Sequence, residues 1–303
     1  MKVLDYSEIE QLALKYGADF RLGEPLGKYT SFRIGGSADA VIKPNSAECA
    51  VQTIKYCKEN NVPYYLLGRG SNVLISDKGL RGLVVIISDA FSEISADGEM
   101  LICDAGASLH KICIAAKELS LAGLEFAYGI PGTVGGALCM NAGAYGGEMK
   151  DVVEYCDFLD ESGNVRRLSA RELELSYRHS FFTGKRCVIL RVALKLKKGD
   201  RDAIAERMSE LIGKRRSSQP LDYPSAGSTF KRPEGDFAAR LIEASGLKGY
   251  SCGDAEVSTK HSGFVINKGN ASFSDVMSVI NGVKEKVYGD SGIMLECEVL
   301  ILE

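Results

Sequence analysis

The sequence predicts an α+β protein in two parts, a larger glycine-rich one over residues 1–199 and a smaller one over 200–303. Three observations lead there. Strand-like and helix-like segments alternate from residue 38 to 88, two hairpin-like stretches follow, and the texture changes near residue 200, where two amphipathic helices and a closing strand take over.

Taken in order, "MKVLDYSEIEQLALKYG" is a charged amphipathic helix and lacks the apolar run of a signal peptide. "ADAVIKP" reads as a strand, "SAECAVQTIKYCKENN" as a helix, and "VPYYLLG" as a strand that leads through "RGSNVLISD" into "GLVVIIS". "EISADGEMLICDAG" has the pattern of a hairpin turning at Asp97-Gly98, and a helix capped by Ser108 runs to about Leu121. "VVEYCDFLDESGNVRRLSA" is a second hairpin, "CVILRVALKLKKGD" a long strand, and 201–214 a helix. Past residue 200, "DFAARLIEASG" is a helix with Asp236 as its N-cap. "SFSDVMSVINGVKEKVYGDSG" opens on a Ser-x-x-Asp capping box, and "GIMLECEVLIL" closes the chain as a strand, expected to return to the N-terminal region.

The composition excludes several function classes. With 37 basic against 40 acidic residues and a net charge of −3, there is no general electrostatic attraction to nucleic acid or to an anionic membrane. Apolar runs such as 83–87 are far too short to span a bilayer, so a cytoplasmic protein without membrane insertion is expected. The nine cysteines are odd in number and form no CxxC pair, as small buried hydrophobes in a reducing compartment would. His110, His179 and His261 share no zinc-like spacing with each other or with cysteine, so no metal site is expected.

The chemistry is concentrated in two loops. "AYGIPGTVGGALCMNAGAYGG", residues 127–147, holds seven glycines and no lysine. Each glycine inside regular structure costs about 0.5–1 kcal/mol relative to alanine, so the density calls for a sharp turn or for something lying on the backbone. "LLGRGSNVL" begins Gly-x-Gly at Gly68, but Val73 stands where a dinucleotide fingerprint needs its third glycine, and a strand follows instead of a helix. Neither loop contains a P-loop. Ser71, Asn72, Thr133 and Asn141 bring small polar side chains among free backbone amides, and such nests bind a pyrophosphate without lysine. Tight turns between strands would explain one loop; two in the same lobe favour a dinucleotide along exposed backbone.

"YTSFRIGGSAD", "LLGRGSNVLISD", "GLEFAYGIPGTVGGALCMNAGAYGGEM", "SYRHSFF", "SAGSTFKRP" and "LECEV" occur in this order from residue 29 to 299. Together they resemble the UDP-N-acetylenolpyruvoylglucosamine reductase family. The resemblance implies a vanillyl-alcohol-oxidase-type FAD-binding domain followed by a smaller α+β substrate-binding domain. FAD would be held non-covalently by Arg69, Gly70, Ser71 and Asn72 from one loop and by Gly132, Thr133, Gly135, Gly136 and Asn141 from the other. It also implies NADPH as co-substrate and reduction of the enolpyruvyl ether of UDP-N-acetylglucosamine to UDP-N-acetylmuramate for peptidoglycan; no protein partner is predicted. The compact stretch after residue 200 resembles the shorter branch of the family, which lacks an added loop over the sugar nucleotide.

By the same resemblance Ser228 is the proton donor, and Arg178 a fixed cation with a fork suited to a carboxylate or enolate. Glu296 is the third catalytic residue, on one strand face with Glu298, where desolvation is expected to raise its pKa. Tyr177 and Lys231 flank these motifs as residues positioning NADPH or substrate. On the residues alone, Ser228 is an ordinary turn serine, Arg178 a solvated ion-pair partner and "GKRRSSQP" a solvated helix end. Two other readings stay open: an FAD-dependent alcohol or hydroxy-acid oxidase of the same fold, and a non-catalytic nucleotide-binding regulator.

Overall fold

The computed structural model describes residues 5–303, so the start of the expected N-terminal helix, 1–4, lies outside the described residues. The chain forms two compact units. The first takes the residues up to Leu22 together with Ala40–Arg69 and Gly82–Lys214. Helix α1 (Ser7–Tyr16) buries Ile9 and Ala13 and stops at Gly17, whose φ of 66° is left-handed. Strands β1 (Asp19–Leu22), β2 (Ala40–Lys43), β3 (Tyr64–Leu67) and β5 (Leu83–Ile86) make a sheet in the order β1-β2-β5-β3. Its β2–β5 and β3–β5 pairs are parallel, linked through α2 (Ala47–Glu59), whose N-cap Ser46 accepts a hydrogen bond from the Cys49 amide.

A five-stranded antiparallel sheet completes this unit, in the order β12 (Val165–Ser169), β11 (Val153–Leu159), β13 (Val188–Lys195), β7 (Met100–Asp104), β6 (Ile94–Asp97). The β6–β7 hairpin pairs Asp97 with Met100, so Gly98 and Glu99 form its turn, with Gly98 at φ 59°. Helices α3 (Leu109–Glu118) and α4 (Val134–Cys139) contribute Leu109, Ile112, Val134 and Leu138 to the core that also holds Leu101, Cys156 and Val192. Short pairs β8 (Leu121–Ala122) with β14 (Lys197–Lys198) and β9 (Gly143–Ala144) with β10 (Gly147–Glu148) close the loops, and α5 (Arg201–Ser218) adds Ile204 and Met208.

The second unit gathers Gly23–Asp39, Gly70–Arg81 and Arg215–Glu303. Strand β4 (Val73–Ile75) pairs in parallel with β18 (Leu300–Leu302), and β15 (Ser251–Cys252), β16 (Ala255–Val257) and β17 (Val265–Asn267) form an antiparallel sheet. Helices α6 (Ala238–Ala244) and α7 (Phe273–Ser291) supply Leu241, Val279 and Val283 to a core shared with Phe32 and Leu74. The capping box of α7 is formed by Ser272 and Asp275, and the Asp77 carboxylate accepts the Phe273 amide at 3.0 Å.

Several expectations need correction. The sequence reading puts one boundary at 199/200; here residues 23–39 and 70–81 pack with the C-terminal part, so no single cut separates the units. The closing strand covers only 300–302, and Cys297 makes an isolated bridge to Phe230 instead. Phe237, not Asp236, is the N-cap of α6. Asp236 pairs with Arg240 and accepts the Phe237 amide, and these partners, Arg240 foremost, hold its carboxyl down to about 2. Among the described residues no helix is long and apolar enough to cross a membrane. All nine cysteines are free, and burial pushes the Cys57 and Cys103 thiols up to about 12.

Candidate active site

In the first unit the glycine stretch contains a helix that the sequence hides. Thr133, 2% exposed, is the N-cap of α4, its hydroxyl accepting the Gly136 amide at 3.3 Å. The Gly135 amide donates to Ala105 O at 3.0 Å, and a Cβ there would fall 3.0 Å from the Ala105 Cβ, so this glycine serves helix packing. Gly136 points the other way: it is exposed, and a Cβ would meet only the Thr133 Oγ1 at 3.5 Å. Gly68 backs onto Thr133, where a Cβ would lie 2.8 Å from Oγ1, and this brings the end of β3 against the start of α4.

Beside them is a cavity of about 430 Å³ lined by Arg69, Asp89, Ser108, His110, Lys111, Ile130, Pro131 and Gly132. Arg69 Nη1 is 3.5 Å and Lys111 Nζ 3.9 Å from Asp89 Oδ1. These exposed pairs are worth about 0–1 kcal/mol each, and the two cations outnumber the one carboxylate. Ser108 caps α3 through the Lys111 amide, and the Leu109 amide donates to Gly132 O, which ties α3 to the glycine stretch. Sequence reasoning found Ser108 only as a cap and considered His110 for zinc-like spacing, which it lacks. The available signal was a capped helix carrying His-Lys in its first turn.

Arg178 sits on a tight turn. Ser176 and His179 exchange backbone hydrogen bonds at 3.2 and 3.1 Å around Tyr177 and Arg178, and Arg178 has φ 53°, a position that favours glycine or asparagine. Its guanidinium carbon is 5.1 Å from the centre of the Tyr177 ring. Asn141 is 1% exposed and donates both amide protons inside the protein, to Glu148 Oε2 at 2.6 Å and to Ser176 O at 3.0 Å, while Oδ1 accepts the Lys150 amide at 2.9 Å. The side chain expected to donate to a cofactor is thus engaged elsewhere.

In the second unit Lys231 and Glu296 come together, and Ser228 immediately precedes Thr229, which bonds to the same segment. The Lys231 amide donates to Glu296 O at 2.9 Å, the Glu298 amide donates to Thr229 O at 2.8 Å, and Lys231 Nζ is 3.1 Å from Glu296 Oε2. Thr229 is further clamped by its amide on Gly263 O and by its hydroxyl accepting the Val265 amide. Between Gly227, at φ 76° with open space around it, and this fixed threonine, the half-buried Ser228 hydroxyl has no hydrogen-bond partner among the described residues. The desolvated carboxylate expected at Glu296 is absent: its side chain is 72% exposed, because residue 296 precedes the short strand.

The same unit holds Gly70, Ser71 and Asn72. Gly70 is required by the protein itself, since a Cβ would fall 2.0 Å from Tyr29 O. Asn72 donates its side-chain amide to Glu298 O at 3.2 Å and accepts the Leu300 amide, which joins this loop to the segment that carries Glu296. The carbonyl of Gly70 accepts from the Ser31 amide and that of Asn72 from the Leu300 amide, whereas the amides of 69–72 donate to no acceptor among the described residues.

These features fit FAD. In the first unit Arg69 and Lys111 suit a diphosphate and the bare backbone at Gly136 suits a flat ring; in the second the unengaged amides of 70–72 suit an anion. Thr133 caps α4 and Gly135 packs it on Ala105.

The model of an FAD binding domain matches residues 38–169, and that of the UDP-N-acetylenolpyruvoylglucosamine reductase C-terminal domain matches 219–302. A UDP-N-acetylenolpyruvoylglucosamine reductase of Clostridium novyi (strain NT) is 51% identical over 274 residues, 90% of this chain and 89% of that one. A protein of the same name from Caldanaerobacter subterraneus subsp. tengcongensis is 48% identical over 281 residues, 93% of each chain. The crystal structure of UDP-N-acetylenolpyruvylglucosamine reductase from Thermus caldophilus superposes with a TM-score of 0.81 at 34% identity, covering 94% of this chain and 99% of that one. The α+β class with a vanillyl-alcohol-oxidase-type flavin domain is borne out. With both halves matched in order and about half of all residues shared with relatives over nine-tenths of its length, the chain belongs to the UDP-N-acetylenolpyruvoylglucosamine reductase family.

Proposed function

We propose that this protein reduces UDP-N-acetylglucosamine enolpyruvate to UDP-N-acetylmuramate, with FAD as resident cofactor and NADPH as reductant. The observation that carries the reading is the presence, on one chain, of the FAD binding domain over 38–169 and the reductase C-terminal domain over 219–302. When bound, FAD supplies hydride transfer from NADPH to the enol carbon of the sugar nucleotide. The chain must then stabilise negative charge beside the substrate carboxylate and deliver a proton to it.

Arg178 suits the first task. Its charge is permanent, its fork matches a carboxylate or enolate, and the turn fixes its backbone in a conformation that a free chain would rarely hold. Ser228 suits the second, because its hydroxyl is committed to no protein group and its neighbour Thr229 is held by Gly263 O and by the Glu298 and Val265 amides. Glu296 acts with Lys231 as an exposed ion pair on the segment bonded to Thr229, where it orients charge towards the substrate. In the first unit Arg69, Lys111, Gly132 and Gly136 are the groups that suit FAD; in the second they are the amides of Gly70, Ser71 and Asn72. A nucleotide-sugar substrate and the lack of a membrane-crossing helix among the described residues support a cytoplasmic enzyme.

Stopped-flow spectroscopy on the FAD-loaded protein tests the reading. NADPH should bleach the flavin anaerobically, and the enolpyruvyl sugar nucleotide should restore its absorbance. Reoxidation by oxygen alone would mark an oxidase. Protein that takes up FAD but is not bleached by NADPH would be a binding module.

A further inference from the structure

The turn that carries Arg178 is anchored at both legs to the end of α4, the helix inside the glycine stretch. Before the turn, Ser176 O accepts Asn141 Nδ2 at 3.0 Å. After it, the fully buried Ser180 donates its hydroxyl to Cys139 O at 2.7 Å. Residues 139 and 141 flank Met140, the C-cap of α4. The orientation of the Asn141 amide is fixed as well. Lys150 N requires an acceptor on one side, while Glu148 and Ser176 O require a donor on the other, so only one of the two flips satisfies all three. Asn141 itself has φ 41°, where asparagine is tolerated and most side chains are strained.

We infer that Asn141 and Ser180 are positioning residues for Arg178, setting the guanidinium in register with the glycine helix through Ser176 O and Cys139 O. The inference rests on the role of Arg178 proposed above. Neither side chain is a cofactor contact. Ser180 ties the turn to Cys139 O, and Asn141 ties it to the end of α4 while also bonding Glu148 and Lys150, so removal of either should slow the half-reaction that uses Arg178, and Asn141→Gly should lower stability besides.

The test uses full-length, FAD-loaded protein. Asn141→Gly deletes the amide and tolerates the left-handed backbone; Ser180→Ala removes a single hydroxyl and probes the other leg should the first variant fold poorly. Each is made alone, with Arg178→Lys, and with Ser228→Ala. FAD stoichiometry and flavin reduction by NADPH should match the parent. Reoxidation by the enolpyruvyl sugar nucleotide should slow by roughly 10–100-fold, the scale of a misplaced catalytic group. Combined with Arg178→Lys, neither change should slow the reaction further, because groups that act as a unit are not additive. Combined with Ser228→Ala, the losses should multiply.

Loss of FAD from Asn141→Gly would overturn the inference and return Asn141 to cofactor binding. Losses that multiply with Arg178→Lys would overturn it too, showing a general structural role. Normal reoxidation in Arg178→Lys alone would instead refute the reading of Arg178 and take the inference with it.

Discussion

Ser228 and Thr229 are adjacent, yet their hydroxyls should fail in opposite ways. The Ser228 hydroxyl bonds to nothing among the described residues, so Ser228→Ala leaves no protein group unpaired and should change stability by no more than about 0.5 kcal/mol. If that hydroxyl delivers the proton, reoxidation of reduced flavin by the enolpyruvyl substrate should fall by about 10²–10⁴, or roughly 2.7–5.5 kcal/mol of barrier. Thr229 is 1% exposed and its Oγ1 accepts the Val265 amide at 3.0 Å. Thr229→Val keeps the shape but strands that buried amide, at a cost of about 1–3 kcal/mol. The assay pairs denaturant unfolding with stopped-flow half-reactions on each variant. Ser228→Ala should be as stable as the parent and blocked after reduction; Thr229→Val should unfold earlier and still turn over. An alanine variant that reoxidises normally would show that water or another group is the acid. Equal losses in both half-reactions would show that the change had only disturbed the substrate-binding unit.

Gly135→Ala should lower the melting temperature, because overpacking against Ala105 costs about 1–3 kcal/mol and the gain in helix propensity, about 1 kcal/mol, offsets only part of it; an unchanged melting temperature would refute the packing role. Burial, with a smaller push from Lys248, holds the His261 pKa below its usual 6.5 against the pull of Glu243. Its neutral ring therefore contributes stability above about pH 6.5 that is lost as pH falls through the lower folded value, and urea titrations across that window should show a loss relative to His261→Asn, which keeps an acceptor for the Gly263 amide. With Cys57 and Cys103 buried and held near 12, these two thiols in native protein at pH 8 should react slowly with a maleimide or disulfide reagent, while denatured protein without reductant should titrate nine thiols.

The parts of the fold that were legible in the sequence are those set by local chemistry. Ser46, Ser108 and Ser272 announce α2, α3 and α7 because a helix needs acceptors for its first amides within a few residues of its start. The membership of 23–39 and 70–81 in the second unit depends on contacts far along the chain and has no local signature. Helix α4 was hidden by its own glycines, whose poor propensity is overridden by the Thr133 cap and by packing on Ala105. At the site, the motifs point to Arg178, Ser228 and Glu296, but not to their surroundings. A glycine answering to a neighbouring carbonyl, as Gly70 does to Tyr29, looks the same in sequence as one whose outer face is left open, as that of Gly136 is. Asn141 looked like a free amide for the same reason: its partners at 148, 150 and 176 come into view only with the fold.

The pairing of β4 with β18 bears on how the protein is made. The Asn72–Glu298 hydrogen bond beside it closes a loop of 226 residues, and β4 has no other strand partner among the described residues. A ribosome adding about 5–20 residues per second needs some 11–45 s to travel that distance. Throughout that interval the nascent chain carries β4 with its backbone edge open, a template on which another chain could pair. Translation speed and chaperone cover over this interval, more than final stability, should then govern how much of the protein reaches its folded form.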